Sequence, residues 1–591
     1  MKPAQLLEHF DRISEAPDAV ARLRRFILDL AVRGKLVEQD SNDEPASELF
    51  KRIQAVKSSN VAGTRKQALI TKVGNSDVPF PAPLGWLWLR FGLVHDLVRG
   101  VTYTKSDVAE TQVADYLPIL RANNIGASLN FDDLVFVRQE CIGPDQMLRR
   151  GDYLIALSSG SKNLVGKAAF VDADHPCGFG GFCGVIRLIS PSLEQFVGVF
   201  LSSRLYRDAI SAGSRGIGIN NLKRETLNEA LFPLPPLAEQ HRIVAKVDEL
   251  MALCDQLEAA KNEREEKRDR LVAASLHRIG TAPTATDEAA TEIQSTTPLR
   301  DVTRFHLDHL PRLTTRPEHI KKLRQTILNL AVRGRLVPQD PSDEPAAELL
   351  ARKVWLPSGY TRRRKILKET SVDAPASLFP AIPLTWKYTD IQSLYDLNVI
   401  IDYADGNHGA LYPRSNEFGD DGVTFVTAKD LVDGRVIWKS CAKLNEDRAN
   451  QLPKGWAQGG DVLLTHNATV GRVARIEANV GRFLLGTSVT FYRLNRTVLG
   501  SDFFYYLLKS SMWQGQLEAI MAQTTRNQVS IQKQAFFRVV VPPLAEQHRI
   551  VAKIDELMAL CDQLEAQLTT TQTDSRRLLE AVLHEAFSEA A

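Results

Sequence analysis

The sequence contains no run of ~18 uncharged apolar residues, so a membrane-spanning helix is not expected. The amino end, MKPAQLLEHFDRISEAPDAV, carries charge throughout and lacks the apolar centre of a signal peptide. Its six cysteines form no CxxC pair, which fits a reducing cytoplasm better than a disulfide scaffold. The nearest approach to a metal cluster is DHPCGFGGFC, with His175, Cys177 and Cys183, and a glycine-rich turn between strands is the simpler reading of it. Excess charge of one sign is also missing. A formal net charge of +2 over 591 residues means that any contact with nucleic acid must come from local clusters.

Catalytic signatures are equally scarce. GSKNLVGKA misses the phosphate-loop spacing and ends on Ala168 where a hydroxyl is needed. CGFGGFCG fails the dinucleotide spacing. An adenine amino-methyltransferase needs Asp or Asn before Pro-Pro and an aromatic, whereas here Leu234 or Val541 precedes the proline pair and leucine follows it. After Pro144–Asp145 no nuclease carboxylate–lysine pattern follows, and His241 and His548 read as helix-surface or packing residues. No catalytic or metal-binding residue is therefore expected on this chain.

What the sequence does have is itself, twice. PPLAEQHRIVAKVDELMALCDQLEA at 235–259 returns at 542–566 with one change in twenty-five, Val247 against Ile554. RLRRFILDLAVRGKLVEQDSNDEPASEL at 22–49 shares 19 of 28 positions with KLRQTILNLAVRGRLVPQDPSDEPAAEL at 322–349. The chain is thus two tandem units of about 300 residues, each with a repeated opening, a divergent middle and a repeated close.

The opening segments predict short helices: Leu23, Ile27, Leu30 and Ala31 recur at helical spacing before Gly34, and Leu323, Ile327, Leu330 and Ala331 before Gly334. The closing segments predict longer helices with a heptad seam, Ile243, Val247, Leu250, Cys254 and Leu257 in one and Ile550, Ile554, Leu557, Cys561, Leu564 and Leu568 in the other. The two seam cysteines read as small apolar fillers. Some 40 residues at ~1.5 Å per residue make a rod of ~60 Å. Boundaries follow: an opening helical region at 1–53, a first module at 78–234, its closing helix at 235–279, a linker at 280–300, the second opening at 301–353, a second module at 376–541 and the last helix at 542–591. Polar inserts at about 54–77 and 352–374 follow the openings, the latter with the charge run TRRRK.

Both modules mix strand-like runs (GDYLIALSSG, GDVLLTHNAT) with apolar helices near their ends. Local charge is uneven. Residues 202–224 carry Arg204, Arg207, Arg215, Lys223 and Arg224 against Asp208 alone, and 503–541 carry Lys509, Arg526, Lys533 and Arg538 against Glu518. Within these stretches SRGIGINNLKR and TTRNQVSIQKQ are rich in groups that read base edges: Arg and Lys pair with guanine, Asn and Gln with adenine. The DNA-contact candidates are Arg121, Asn123, Asn124, Arg215, Asn220, Asn221, Lys223 and Arg224 in the first module. In the second they are Thr427, Lys429, His466, Asn467, Thr525, Arg526, Asn527, Gln528 and Lys533.

PPLAEQHRIV twice after a divergent module, together with the AVRGKLV and DEPA openings, resembles the specificity subunit of type I restriction–modification enzymes. The resemblance implies an α+β fold: two mixed α/β target recognition domains held apart by an antiparallel coiled coil of the repeated helices, with internal pseudo-two-fold symmetry. It implies a non-catalytic, cytoplasmic chain that binds double-stranded DNA and docks two methyltransferase subunits, joined by nuclease/translocase subunits for restriction. No cofactor would bind this chain; S-adenosylmethionine would sit in the methyltransferase, ATP and magnesium in the nuclease. The docking framework would include Glu239, Gln240, Arg242, Ile243 and Leu250, with Glu546, Gln547, Arg549, Ile550 and Leu557 in the second copy. Because one turn of DNA spans ~34 Å, two modules on such a rod can read a bipartite, non-palindromic target and skip the bases between. Two rivals remain at this stage: a free-standing bipartite DNA-binding regulator, and an enzyme whose site has no recognisable motif.

Overall fold

A computed structural model describes residue 16 and residues 18–60, 73–74, 77–161, 164–213, 220–281, 309, 313–352, 355–356, 374–523 and 527–589. The linker beyond Thr281, the TRRRK run and most of both polar inserts lie outside these residues. The chain divides into two compact units, Met1–Arg264 with Thr571–Ala591, and Glu265–Thr570. Four helices carry most of the repeated sequence: α1 (Ala19–Val32), α2 (Leu237–Thr281), α3 (Pro317–Ala331) and α4 (Leu544–Glu589). Helix α2 begins in the first unit and finishes in the second, and α4 does the reverse. Among the described residues no helix is long and apolar enough to cross a membrane.

In the first unit, α1 ends where its glycine must be a glycine. Gly34 sits at φ +66°, and a Cβ there would lie 2.7 Å from Pro83 Cγ and 2.9 Å from the Trp86 ring. Trp86 leads into strand Leu87–Arg90, which pairs antiparallel with Leu231–Leu234, the strand that runs into α2. The module therefore leaves and re-enters the framework through two neighbouring strands. Between them lie a four-stranded antiparallel sheet, in the order His95–Arg99, Cys183–Leu188, Tyr153–Ala156 and Ala168–Phe170, and a second sheet in which Tyr116–Leu120 pairs parallel with Gly178–Phe179. One core joins module to framework: Phe91, Phe196, Phe200 and Phe232 pack with Trp86, with Ile27 and Ala31 of α1 and with Ile243, Val247 and Cys254 of α2. The end of α4 belongs to this unit, where Leu579 and Val582 bury Ala16 and Ala19.

The second unit repeats the plan. Gly334 sits at φ +67° against Pro383 and Trp386. Lys387–Asp390 pairs with Arg538–Val541, and the central sheet runs Ile400–Asp405, Val489–Leu494, Val462–Thr465 and Val473–Arg475. Its core joins Trp386, Phe503, Phe504 and Trp513 to Ile327 of α3 and to Ile550, Ile554 and Cys561 of α4. The end of α2 contributes Val272 and Leu276, buried with Leu313. The seam cysteines are buried in both units, and burial pushes both thiols up.

One ion pair is common to both central sheets. Arg187 grips Asp152 with Nε at 2.9 Å and Nη2 at 2.7 Å, and Arg493 grips Asp461 at 3.0 and 2.7 Å. Asp152 and Asp461 are almost completely buried. These pairs fix the alignment of the modules: Arg187 matches Arg493, and each neighbour follows in register.

Candidate nucleic-acid interface

The framework residues determine what is left to face outward. At the start of α2 the Glu239 carboxylate accepts Trp86 Nε1–H at 2.9 Å and the Gln39 amide at 2.9 Å. Glu546 accepts Trp386 Nε1–H at 2.8 Å and the Gln339 amide. Burial pushes both carboxyls up, against the pull of these donors. Gln240 donates to Pro235 O, while Gln547 donates to Val498 O and Pro542 O and accepts Gly500 N–H. Arg242 pairs with Asp43 and Arg549 with Asp343, each at 2.6 Å. Ile243 and Ile550 are core residues, and Leu250 and Leu557 pack against the same cores. For Glu239, Gln240, Ile243, Glu546, Gln547 and Ile550 the expectation of a docking surface is corrected, since these six are buried and lock each long helix onto its own unit, whereas Arg242, Leu250, Arg549 and Leu557 remain half-buried. The repeated outward positions include His241, Ala245, Ala252 and Leu253, with His548, Ala552, Ala559 and Leu560 in the second copy. Leu253 is 47% exposed and Leu560 48%.

The DNA-contact candidates fall on loops that main-chain hydrogen bonds gather into one strip per module. In the first, Gly180 N–H donates to Leu120 O at 2.9 Å, next to Arg121. Two residues on, Phe182 O accepts Leu157 N–H at 2.8 Å and Ser158 N–H at 3.0 Å. Leu222 N–H then donates to Leu157 O at 2.7 Å, and Ser158 Oγ–H to Asn221 Oδ1 at 2.9 Å. Arg121, the 180–182 turn, Ser158 and Asn221 thus form a continuous line.

The second module builds the same line from different side chains. Gly486 N–H donates to Val426 O at 2.8 Å, beside Thr427. His466 N–H donates to Ser488 O at 3.0 Å, Val529 N–H to His466 O at 2.9 Å, and Asn467 bridges Gln528. Ala468, at φ +62°, takes the tight corner and donates to Asn527 O at 2.9 Å.

Side chains on the strips divide into braces and free ends. Arg121 and Asn123 both donate to the Asp133 carboxylate at 2.8 Å. Thr427 caps its turn through Asp430, its hydroxyl donating at 2.8 Å. Asn124 is buried, with its amide donating to Asn130 O and Asp133 O. His466 is buried too, its Nδ1 2.9 Å from Thr490 Oγ1, and burial lowers its pKa so that the ring is neutral. Asn124 and His466 are accordingly corrected from base readers to loop braces, since neither can present its polar edge outward. Beside His466, Asp405 accepts from Lys454 Nζ and lies by His408 Nε2, both at 2.6 Å. Burial raises that carboxyl, but the two partners outweigh it and leave it below the ordinary carboxylate value.

Asn221, Lys223, Lys429, Asn527 and Gln528 are exposed on the strips, Asn467 and Lys533 half-buried. Arg224 is exposed but ties one Nη2–H to Leu97 O at 2.7 Å. Arg215, Thr525 and Arg526 lie outside the described residues, as does the side chain of Asn220. Residue-by-residue reading missed Ser158 and Phe182. The signal available for Phe182 was CGFGGFCG, which holds the turn between Gly178–Phe179 and Cys183–Leu188. Its thiols, Cys177 and Cys183, are buried and pushed up to about 12. Among the described residues no group of three or more His, Cys, Asp or Glu side chains is arranged to hold a metal ion.

Comparison with known proteins gives consistent results. The family model for the type I restriction modification DNA specificity domain matches residues 99–266 and 402–571. The type I restriction enzyme EcoAI specificity subunit of Escherichia coli is 26% identical over 586 residues, covering 96% of this chain and 94% of that subunit. The EcoKI specificity subunit of Escherichia coli strain K12 is 42% identical over 178 residues, 30% of this chain and 38% of that subunit. A solved structure from work on complex assembly and conformational transition of the type I R-M system matches at 19% identity with a TM-score of 0.48, over 86% of this chain and 99% of that one.

Proposed function

The chain belongs to the family of type I restriction–modification DNA specificity subunits, and we propose that its two strips read the two halves of one split, non-palindromic DNA target. It is the non-catalytic recognition subunit of such an enzyme. The observation that carries the two-half reading is the matched strip itself: the same main-chain line in both modules, carrying Arg121, Ser158 and Asn221 in one and Thr427, Asn467 and Gln528 in the other. Equal scaffolds with unequal donors and acceptors suit two different base sequences. Exposed Lys223 and Lys429 supply the phosphate contacts that set register without reading sequence.

Two methyltransferase subunits, which carry S-adenosylmethionine and modify adenine, dock on the outward faces of α2 and α4. Packing leaves exposed positions free to vary, yet His241, Ala245, Ala252 and Leu253 are the same residues in the second copy. Nuclease subunits, with ATP and magnesium, join for restriction, and the whole acts in the cytoplasm.

The test is co-expression with the methyltransferase partner and single-molecule methylome sequencing of the host, with and without this chain. A split adenine-methylation motif that disappears on deletion supports the reading, while an unchanged methylome in cells expressing both proteins refutes it. Leu253→Asp with Leu560→Asp should abolish co-purification of the methyltransferase; full retention refutes the docking faces.

A further inference from the structure

The alignment of the two modules isolates one residue on the first strip that polar recognition does not account for. Counting back from the matched pair Arg187 and Arg493, the register places Cys183 opposite Val489 and Phe182 opposite Ser488. Both residues occupy the same main-chain site: Phe182 O receives Leu157 N–H, and Ser488 O receives His466 N–H. Ser488 is half-buried, whereas Phe182 holds its ring 67% exposed to solvent.

The turn that presents this ring is pinned on three sides. Gly180 N–H is bonded to Leu120 O, Cys183 N–H closes the turn onto Gly180 O at 2.7 Å, and Phe182 O holds the Leu157–Ser158 corner. Gly100 lies so close beneath it that a Cβ there would stand 2.2 Å from Gly180 O. The backbone is therefore fixed whatever side chain stands at 182, and the second module shows that serine suffices. An exposed phenylalanine on a rigid turn gains nothing for folding, and its position is in line with Ser158, Asn221 and Arg121.

We propose that Phe182 is a specificity-determining residue of the first module, making apolar contact with the 5-methyl group of a thymine in the half-site that module reads. The proposal rests on the reading of the strip as the DNA-facing surface. Major-groove edges present one apolar group among their donors and acceptors, the thymine methyl, and an aromatic ring set among hydroxyl, amide and guanidinium groups fits that pattern. The second module, with Ser488, has no such contact at this register.

The experiment uses the assembled specificity–methyltransferase complex and duplexes of its own methylation motif, with each thymine of the two half-sites replaced in turn by deoxyuridine, which lacks only the methyl. The wild-type complex should lose roughly four-fold in affinity at one thymine of the first half-site, the worth of one buried methyl group. Phe182→Ser should bind the thymine and deoxyuridine duplexes equally at that position, and should leave every thymine of the second half-site unchanged. Retention of the full thymine preference in Phe182→Ser overturns the proposal, as does a first half-site in which no thymine behaves this way. Asn221→Ala and Lys223→Ala separate the two levels of the argument. If they weaken binding through the first half-site while Phe182→Ser does not, only the assignment of Phe182 falls. If none of the three has any effect, the strip is not the DNA-facing surface.

Discussion

The start of α2 and the turn at Gly180–Phe182 are both rigid, but they are held by different parts of the chain. At the helix start side chains do the holding: the Trp86 indole and the Gln39 amide meet on the Glu239 carboxylate, and Arg242 meets Asp43. At the turn the main chain does it, through Leu120 O, Gly180 N–H and Phe182 O. A region locked by side chains cannot change its residues without leaving a buried partner unsatisfied. A region locked by main-chain groups can exchange nearly every side chain it presents. This difference accounts for the recurrence of the buried framework residues in both units while the modules share mainly a scaffold. The Arg187–Asp152 pair obeys the same rule from inside the module: it is a side-chain lock, and it recurs as Arg493–Asp461.

The sharpest way to break this comparison is at that ion pair. Arg187→Ala strands a buried carboxylate and should destabilise the first unit by ~3–5 kcal/mol, with Arg493→Ala matching it in the second, read by denaturant unfolding. A small or one-sided effect would show that the recurrence is not structural. Next comes the helix start: Glu239→Ala and Glu546→Ala should each lose ~1–3 kcal/mol, equal within error, because each leaves a buried tryptophan N–H without its acceptor.

Acid probes the central sheet of the first module. The strand residue paired with Leu188 is His95, fully buried, and the one paired with Leu494 is Ile400. Burial drives the His95 pKa down from 6.5 to about 3. Above pH 6.5 the ring is neutral in both folded and unfolded chains and contributes no slope. Below it the unfolded chain takes up a proton that the folded chain refuses, so stability should fall by ~1.4 kcal/mol per pH unit until pH approaches 3. His95→Gln should remove that part of the slope, and an unaltered pH profile would show that the ring is not buried as described. The smallest effect is expected at the turn itself, where Phe182→Ser should shift stability by no more than ~0.5 kcal/mol. A loss beyond that would mean the ring holds the turn after all.

The sequence made the helices legible because their signals are local. Heptad spacing, the proline pairs and the glycines that end α1 and α3 all lie within one element, and duplication marked them a second time. The direction in which Glu239 points was not legible. An acid in the first turn of a helix reads as a solvated group favoured by the dipole, and its true partner, Trp86, lies 153 residues away. One clue was present, since Gln39, Trp86 and Glu239 all recur as Gln339, Trp386 and Glu546. The strips were legible only in part. Their polar residues drew notice by composition, but the line that joins them is made of main-chain bonds between four separated segments, on which side-chain identity is silent. Asn124 and His466 were misread for the same reason, because composition cannot tell a loop's brace from its outward edge.

In each unit the chain passes from framework to module and back at one paired site, Leu87 opposite Leu234 in the first and Lys387 opposite Val541 in the second, and a shared core seats the module on the helices. Entry and exit are adjacent rungs of one short ladder, so everything between them behaves as a cartridge in a socket. A recombination event with one breakpoint on each rung would deliver a complete foreign reader to an undisturbed framework. Such a chain would acquire a new half-target in one step, without passing through intermediates that recognise nothing.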